Sequence, residues 1–119
     1  QARGDLTKAV SFHKRALKVD PQFVFAHINM GVAYKRLEKN DEAIAAYRAA
    51  LVLNPQSPQA HNNLGNLLRI TGDLAGAKEH LEKSVNLLPG YADAQANLQA
   101  VSQALKEPVL IVAKKFPDK

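Results

Sequence analysis

The stretch His27-Ile28-Asn29-Met30-Gly31 returns, with changes, as His61-Asn62-Asn63-Leu64-Gly65. Asn29, Asn63 and Asn97 share one spacing, because 63 − 29 and 97 − 63 are both 34. The same shift places Ala43 on Ala77, Tyr47 on Leu81 and Pro55 on Pro89. Small, apolar and turn residues that recur in register at this period mark stacked helix–turn–helix units, each burying its apolar face against the next. A solenoid of this kind presents surface, which points to binding and away from catalysis.

The punctuation of the chain sets the helix boundaries. Asp20-Pro21, Asn54-Pro55 and Leu88-Pro89 each close an apolar run. Proline lacks a backbone N–H and disfavours helix in the residue before it, so each pair is a stop. Lys39-Asn40-Asp41 and Gly72-Asp73 divide each period into two helices. The expected helices are therefore 6–19, 24–37, 41–53, 58–70, 74–87 and 92–105. Asp41 and Asp73 suit helix N-termini, where an acidic oxygen accepts exposed N–H groups. Pro58 suits a first helical turn. Gly31 and Gly65 fall inside helices, where glycine costs about 1 kcal/mol relative to alanine. They predict a close approach of paired helices, with Ala43 and Ala77 as the opposing small residues. Leu37, Ile44, Tyr47 and Leu51 share one apolar helical face and are assigned to the core.

This pattern resembles the tetratricopeptide repeat. One unit reads His27…Met30-Gly31…Tyr34…Ala43…Tyr47…Ala50…Pro55. The next reads His61…Leu64-Gly65…Leu68…Gly72…Ala77…Leu81…Ser84…Pro89. The opening segment Gly4…Ala9…His13…Ala16…Pro21 matches only the second half of a unit. The resemblance covers residues 4 to about 105 and implies an all-α helix–turn–helix repeat solenoid over 1–107. Its parts are a leading half unit 4–21, full units 24–57 and 58–91, and a capping helix 92–106. An extended tail, 108–119, follows. Two departures stand out. His27 and His61 occupy a position where the family often has Trp, which implies looser packing there. The first unit also lacks its leading helix, so the apolar side of 6–19, including Val10, Leu17 and Val19, lacks a natural partner.

The resemblance also implies a concave groove that holds a protein or peptide ligand. Asn29, Asn63 and Asn97 are expected to face it. An amide both donates and accepts, so it can pair with the backbone of an extended peptide. Asparagine is a mediocre helix former, so its repeated use on one face asks for a reason. A purely structural role, bonding between adjacent repeats, is the alternative. The run His61-Asn62-Asn63-Leu64-Gly65-Asn66 is similar to the repeats of the O-linked N-acetylglucosamine transferase, whose groove carries an asparagine ladder. No glycosyltransferase catalytic domain accompanies it in this sequence. Other expected groove residues are Phe25, Ile28, Val32 and Lys35 in one unit, and Gln59, Asn62, Asn66 and Arg69 in the next. A subset of the family grips a C-terminal carboxylate with lysines and an arginine. Those places hold Ile28 and Asn62 here, so that clamp is expected to be absent, leaving Lys35 and Arg69 for acidic side chains.

Composition narrows the alternatives. The 119 residues carry a net charge of +5 and no cysteine, so no disulfide framework or thiolate chemistry is available. The basic excess lies at the two ends, in 1–20 and 106–119, whereas the centre is balanced. A nucleic-acid binder should carry a basic stripe on its working face, so no nucleic-acid partner is expected. No apolar run approaches the roughly 20 residues that span a bilayer, so no membrane insertion is expected. His27 and His61 repeat with the period, but metal sites take three or four ligands and no Cys or clustered carboxylate joins them. They are read as packed or hydrogen-bonded, and His13 and His80 as surface residues. No phosphate loop, paired carboxylates or Ser–His–Asp arrangement appears, so neither an enzyme nor a cofactor is expected.

The tail Val109-Leu110-Ile111-Val112-Ala113 has no helical period and is rich in β-branched residues, which reads as an extended segment. Val109, Leu110, Ile111 and Val112 are candidates for self-association, including a possible homodimer. A truncation scar is the plainer reading. The chain begins at Gln1 without a methionine, so a fragment or processed product is expected. The expected function is a protein–protein interaction module. The alternatives are a substrate-adaptor arm of a larger enzyme, such as a glycosyltransferase or sulfotransferase, and a self-associating scaffold.

Overall fold

The computed structural model describes residues 24–106. They form five helices: α1 (Val24–Arg36), α2 (Asn40–Leu53), α3 (Pro58–Thr71), α4 (Leu74–Leu87) and α5 (Ala92–Leu105). No strand occurs among the described residues. Each expected helix within this range is present, with ends shifted by no more than a residue. The expected helix 6–19 and the tail 108–119 lie outside the described residues. The main pairings are α1 with α2 and α3 with α4, joined by α2–α3 and α4–α5 contacts. This is an all-α repeat solenoid.

The helix ends follow from local chemistry. Ser57 caps α3, its Oγ accepting from the Ala60 N–H at 3.1 Å, with Pro58 in the first turn. Asp73 caps α4 by accepting from the Gly76 N–H at 2.9 Å. Asp41 behaves differently from Asp73. The N-cap of α2 is Lys39, which makes no side-chain cap bond, and Asp41 lies inside the first turn. There its charge still complements the exposed N–H groups. At the other end of α3, Gly72 takes the left-handed conformation, with φ 102°. Its neighbour Asp73 then donates its N–H back to the Leu68 carbonyl at 2.8 Å. This closure satisfies carbonyls that the helix leaves open.

The core is built on close backbone approach inside each hairpin. A Cβ added to Gly31 would meet the Tyr47 ring, lying 2.7 Å from Cδ1 and 2.9 Å from Cζ. At Gly65 it would lie 2.6 Å from Leu81 Cγ and 3.2 Å from the Ala77 carbonyl oxygen. The close approach expected at both glycines is therefore present. The opposing residue at Gly31, however, is Tyr47 and not Ala43. A flat ring fits over a backbone that has no side chain, and Ala43 is buried beside it. Leu64, Leu67, Leu81 and Leu98 are fully buried, each worth about 1.5–3 kcal/mol by transfer from water. Ser84 lies where the preceding unit has Ala50, and its hydroxyl donates to the Pro58 carbonyl at 2.9 Å. That bond pins α4 to the start of α3.

Candidate functional site

Along α1 and α3, side chains three or four apart share a face. Val32, Lys35 and Arg36 of α1 meet Asn63 and Asn66 of α3 around a cavity of ≈ 280 Å³, with the edge of Tyr47 completing its wall. Burial holds the Tyr47 hydroxyl up to about 12, so it stays protonated at neutral pH. Beside the cavity, Arg69 donates from Nη2 to the Asn66 Oδ1 at 2.7 Å. Its Nε is buried and has no hydrogen-bond partner among the described residues. The recess therefore offers the cations of Lys35 and Arg36 and two amides. Arg36 and Tyr47 were not among the groove residues read from the sequence. Arg36 follows Val32 by one helical turn, a spacing that could have found it.

The other expected site residues are distributed unevenly. Val32, Lys35, Asn63 and Asn66 come together at the cavity, with Arg69 alongside. Phe25 and Gln59 are exposed, Phe25 to 64%. Ile28 and Asn62 are buried. The three asparagines of the ladder occupy different environments. Asn29 is exposed, whereas Asn63 and Asn97 are half-buried. Asn97 donates through Nδ2 to the Asn62 Oδ1 at 2.9 Å, linking α5 to α3. Asn62 in turn donates weakly toward Asn63 at 3.4 Å and Tyr91 at 3.5 Å. Val109, Leu110, Ile111 and Val112 lie outside the described residues, as does His13.

On the other side of α3, His61 and His80 stack, with ring centroids 5.3 Å apart and planes at 28°. Their Nδ1 atoms are 3.0 Å apart. His61 Nε2 lies 2.8 Å from the Pro55 carbonyl oxygen, which can only accept, so Nε2 carries a proton. His80 was expected on the surface. Instead it is half-buried, because α4 carries it against His61 from nineteen residues away. Both rings are held below the ordinary histidine value. Burial is the main cause for each. For His61 the Pro55 bond opposes the shift and Lys83 adds to it. For His80 the next causes are His61, then Glu79 opposing, then Arg48 and Lys83. No group of three His, Cys, Asp or Glu among the described residues could hold a metal ion. Among the same residues, no helix is long and apolar enough to cross a membrane.

Paired antiparallel helices stacked at a fixed register, with a recess between first helices, define a helical repeat solenoid of the interaction type. Family models described as TPR repeat and tetratricopeptide repeat match residues 34–68 and 58–91. The chain belongs to the tetratricopeptide-repeat family. Among solved structures it is similar to the first repeat domain of Spaghetti (RPAP3) bound to an HSP90 peptide. That likeness has a TM-score of 0.83 and 26% identity, covering 89% of this chain and 84% of that one. It is also similar to MamA, with a TM-score of 0.81 and 27% identity, covering 89% of this chain and 62% of that one. Among curated proteins it is 33% identical over 104 residues to the anaphase-promoting complex subunit CDC16 of Saccharomyces cerevisiae, covering 82% of this chain. It is 34% identical over 103 residues to the human protein O-mannosyl-transferase TMTC1, covering 83% of this chain. The chain spans only 12% of the length of each of these two proteins.

Proposed function

We propose that this chain is a protein-interaction module that takes an extended peptide segment in the groove between α1 and α3. The observation that carries the reading is the cavity where Lys35, Arg36, Asn63 and Asn66 converge. Amides at this site suit the alternating donors and acceptors of a peptide backbone. The cations suit acidic side chains of the ligand. The similar domain of Spaghetti is described in complex with a peptide, which supports this use of the fold. The test is a peptide selected for binding to the full chain, followed by groove substitutions. Asn63→Ala should weaken it by roughly 1–2 kcal/mol, the worth of a buried hydrogen bond. Unchanged affinity on replacing both Asn29 and Asn63 by Ala would count against backbone recognition by the ladder.

A second reading is favoured by the O-mannosyl-transferase relatives. They are much longer than this chain, and the likeness lies in a small part of each. In that reading the groove is the substrate-adaptor arm of a larger enzyme and performs no chemistry itself. Deleting the segment from such a parent should impair turnover of protein substrates while sparing a small acceptor. Equal loss on both substrates would reject the adaptor role.

A further inference from the structure

A second recess, of ≈ 400 Å³, opens between α2, α3 and α4. Among the described residues it shares no lining residue with the groove cavity. On α3 it uses His61 and Leu64, which lie roughly opposite Asn63 and Asn66 at about 100° of helix rotation per residue. We propose that this recess binds a segment of a partner protein that places a carboxylate beside an apolar side chain, and that binding draws a proton onto the His61–His80 pair.

The hydrogen bonds define where that proton goes. Because His61 donates from Nε2 to Pro55, a neutral His61 has only its Nδ1 lone pair left. His80 must then donate its own Nδ1–H across the 3.0 Å contact. This leaves the His80 Nε2 as the basic atom of the pair. One proton can be added there without breaking either bond. A second would place hydrogens on both facing Nδ1 atoms and force the rings apart.

The charge around the pair opposes that first proton unless an anion enters. Arg48 of α2 and Lys83 of α4 both line the recess. Among the described residues, Glu79 of α4 is the carboxylate that acts on His80 against them. A protonated His80 therefore adds positive charge where cations already outnumber anions. A bound carboxylate reverses this, so anion and proton bind cooperatively, and each must raise the affinity of the other. The occupant is assigned as a protein segment because the rest of the wall is apolar. Leu51, Val52 and Leu64 form it, and Val52 is 80% exposed, leaving a seat for an apolar side chain next to the cations.

The test uses the full 119-residue chain and three probes: the capped tripeptide acetyl-Leu-Asp-Leu-amide, its Asn counterpart, and inorganic phosphate. Affinities are measured at pH 7.5 and 5.5, and the histidine rings are followed by NMR. The Asp peptide stays ionised at both pH values, its carboxyl titrating near 3.9. It should bind at least about threefold tighter at the lower pH through the linked proton. It should also shift the His80 titration upward. The Asn peptide should do neither. His80→Gln should remove the pH dependence. Arg48→Gln, an exposed change that spares the core, should weaken binding at both pH values. Affinity independent of pH, an unmoved His80 titration, or a full response in a folded His80→Gln chain would each overturn the proposal. A response to phosphate without one to the Asp peptide would overturn the assignment to a protein segment and leave a free-anion site.

Discussion

Glu38 and Gly72 occupy the same place in successive repeats and share the left-handed backbone conformation, with φ 62° and 102°. Lys106 repeats the feature after α5, with φ 59°. In each of the first two hairpins the next residue donates its N–H five residues back, Lys39 to Tyr34 at 2.9 Å and Asp73 to Leu68 at 2.8 Å. The turn demands this conformation, and only at residue 72 is there a glycine to adopt it freely.

Glu38→Gly is therefore expected to stabilise the fold. Relief of the left-handed strain of about 1–2 kcal/mol is offset by the greater freedom of glycine in the unfolded chain. A net gain of about 0.5–1 kcal/mol follows. Urea denaturation of the single variant checks this, and a loss of stability would show that Glu38 makes contacts that outweigh its strain.

Gly31→Ala and Gly65→Ala should both destabilise the protein. Each methyl would enter space already held by a buried side chain, Tyr47 or Leu81. Neither can withdraw, because Tyr47 is 1% exposed and Leu81 fully buried. Overpacking of this kind costs about 1–3 kcal/mol or more, against a helix-propensity gain of about 1 kcal/mol. Thermal unfolding should show lower midpoints for both variants. A raised midpoint at either position would mean that the helices can separate cheaply.

Asn97→Ala should loosen α5. It removes the donor that satisfies the Oδ1 of buried Asn62. A buried acceptor left without its partner costs about 1–3 kcal/mol. Hydrogen exchange should become faster in α5 than in α1 and α2. Uniform exchange across the chain would assign Asn97 a role other than anchoring that helix.

Acid should weaken the fold through His61 and His80. Both are shifted below their ordinary value of 6.5, so between the folded and unfolded values the unfolded chain binds more protons. Stability then rises with pH in that window. The contribution is present in full above pH 6.5 and is lost as pH falls below it, through the lowered values. Melting temperature should drop as pH is taken from 7.5 toward 5, and His80→Gln should flatten part of that fall. A melting temperature unchanged over this range would contradict the burial assigned to the pair.

Much of the architecture was legible in the sequence because its causes are local. Proline stops, the Asp73 cap and Gly72 act on backbone within a few residues, so helix boundaries follow from the order of residues alone. The 34-residue register carries the pairing of helices, since an in-register glycine has a physical use only where another helix approaches. The groove was legible in part. The family resemblance implied Val32, Lys35, Asn63 and Asn66 as groove residues, but not the packing that admits Arg36 and Tyr47 to the same cavity. The left-handed turn at Glu38 was hidden, because a glutamate carries no signal for a conformation imposed by its neighbours. His80 gave no periodic signal at all, since residue 46 of the preceding unit is an alanine. By itself the sequence determined a repeat solenoid and the register of its helices. Only the tertiary structure decided which polar side chains stay open to a ligand and which, like Asn62 and His61, are bound to partners on other helices. Such pairings depend on the distance and angle between packed helices, which no single segment encodes.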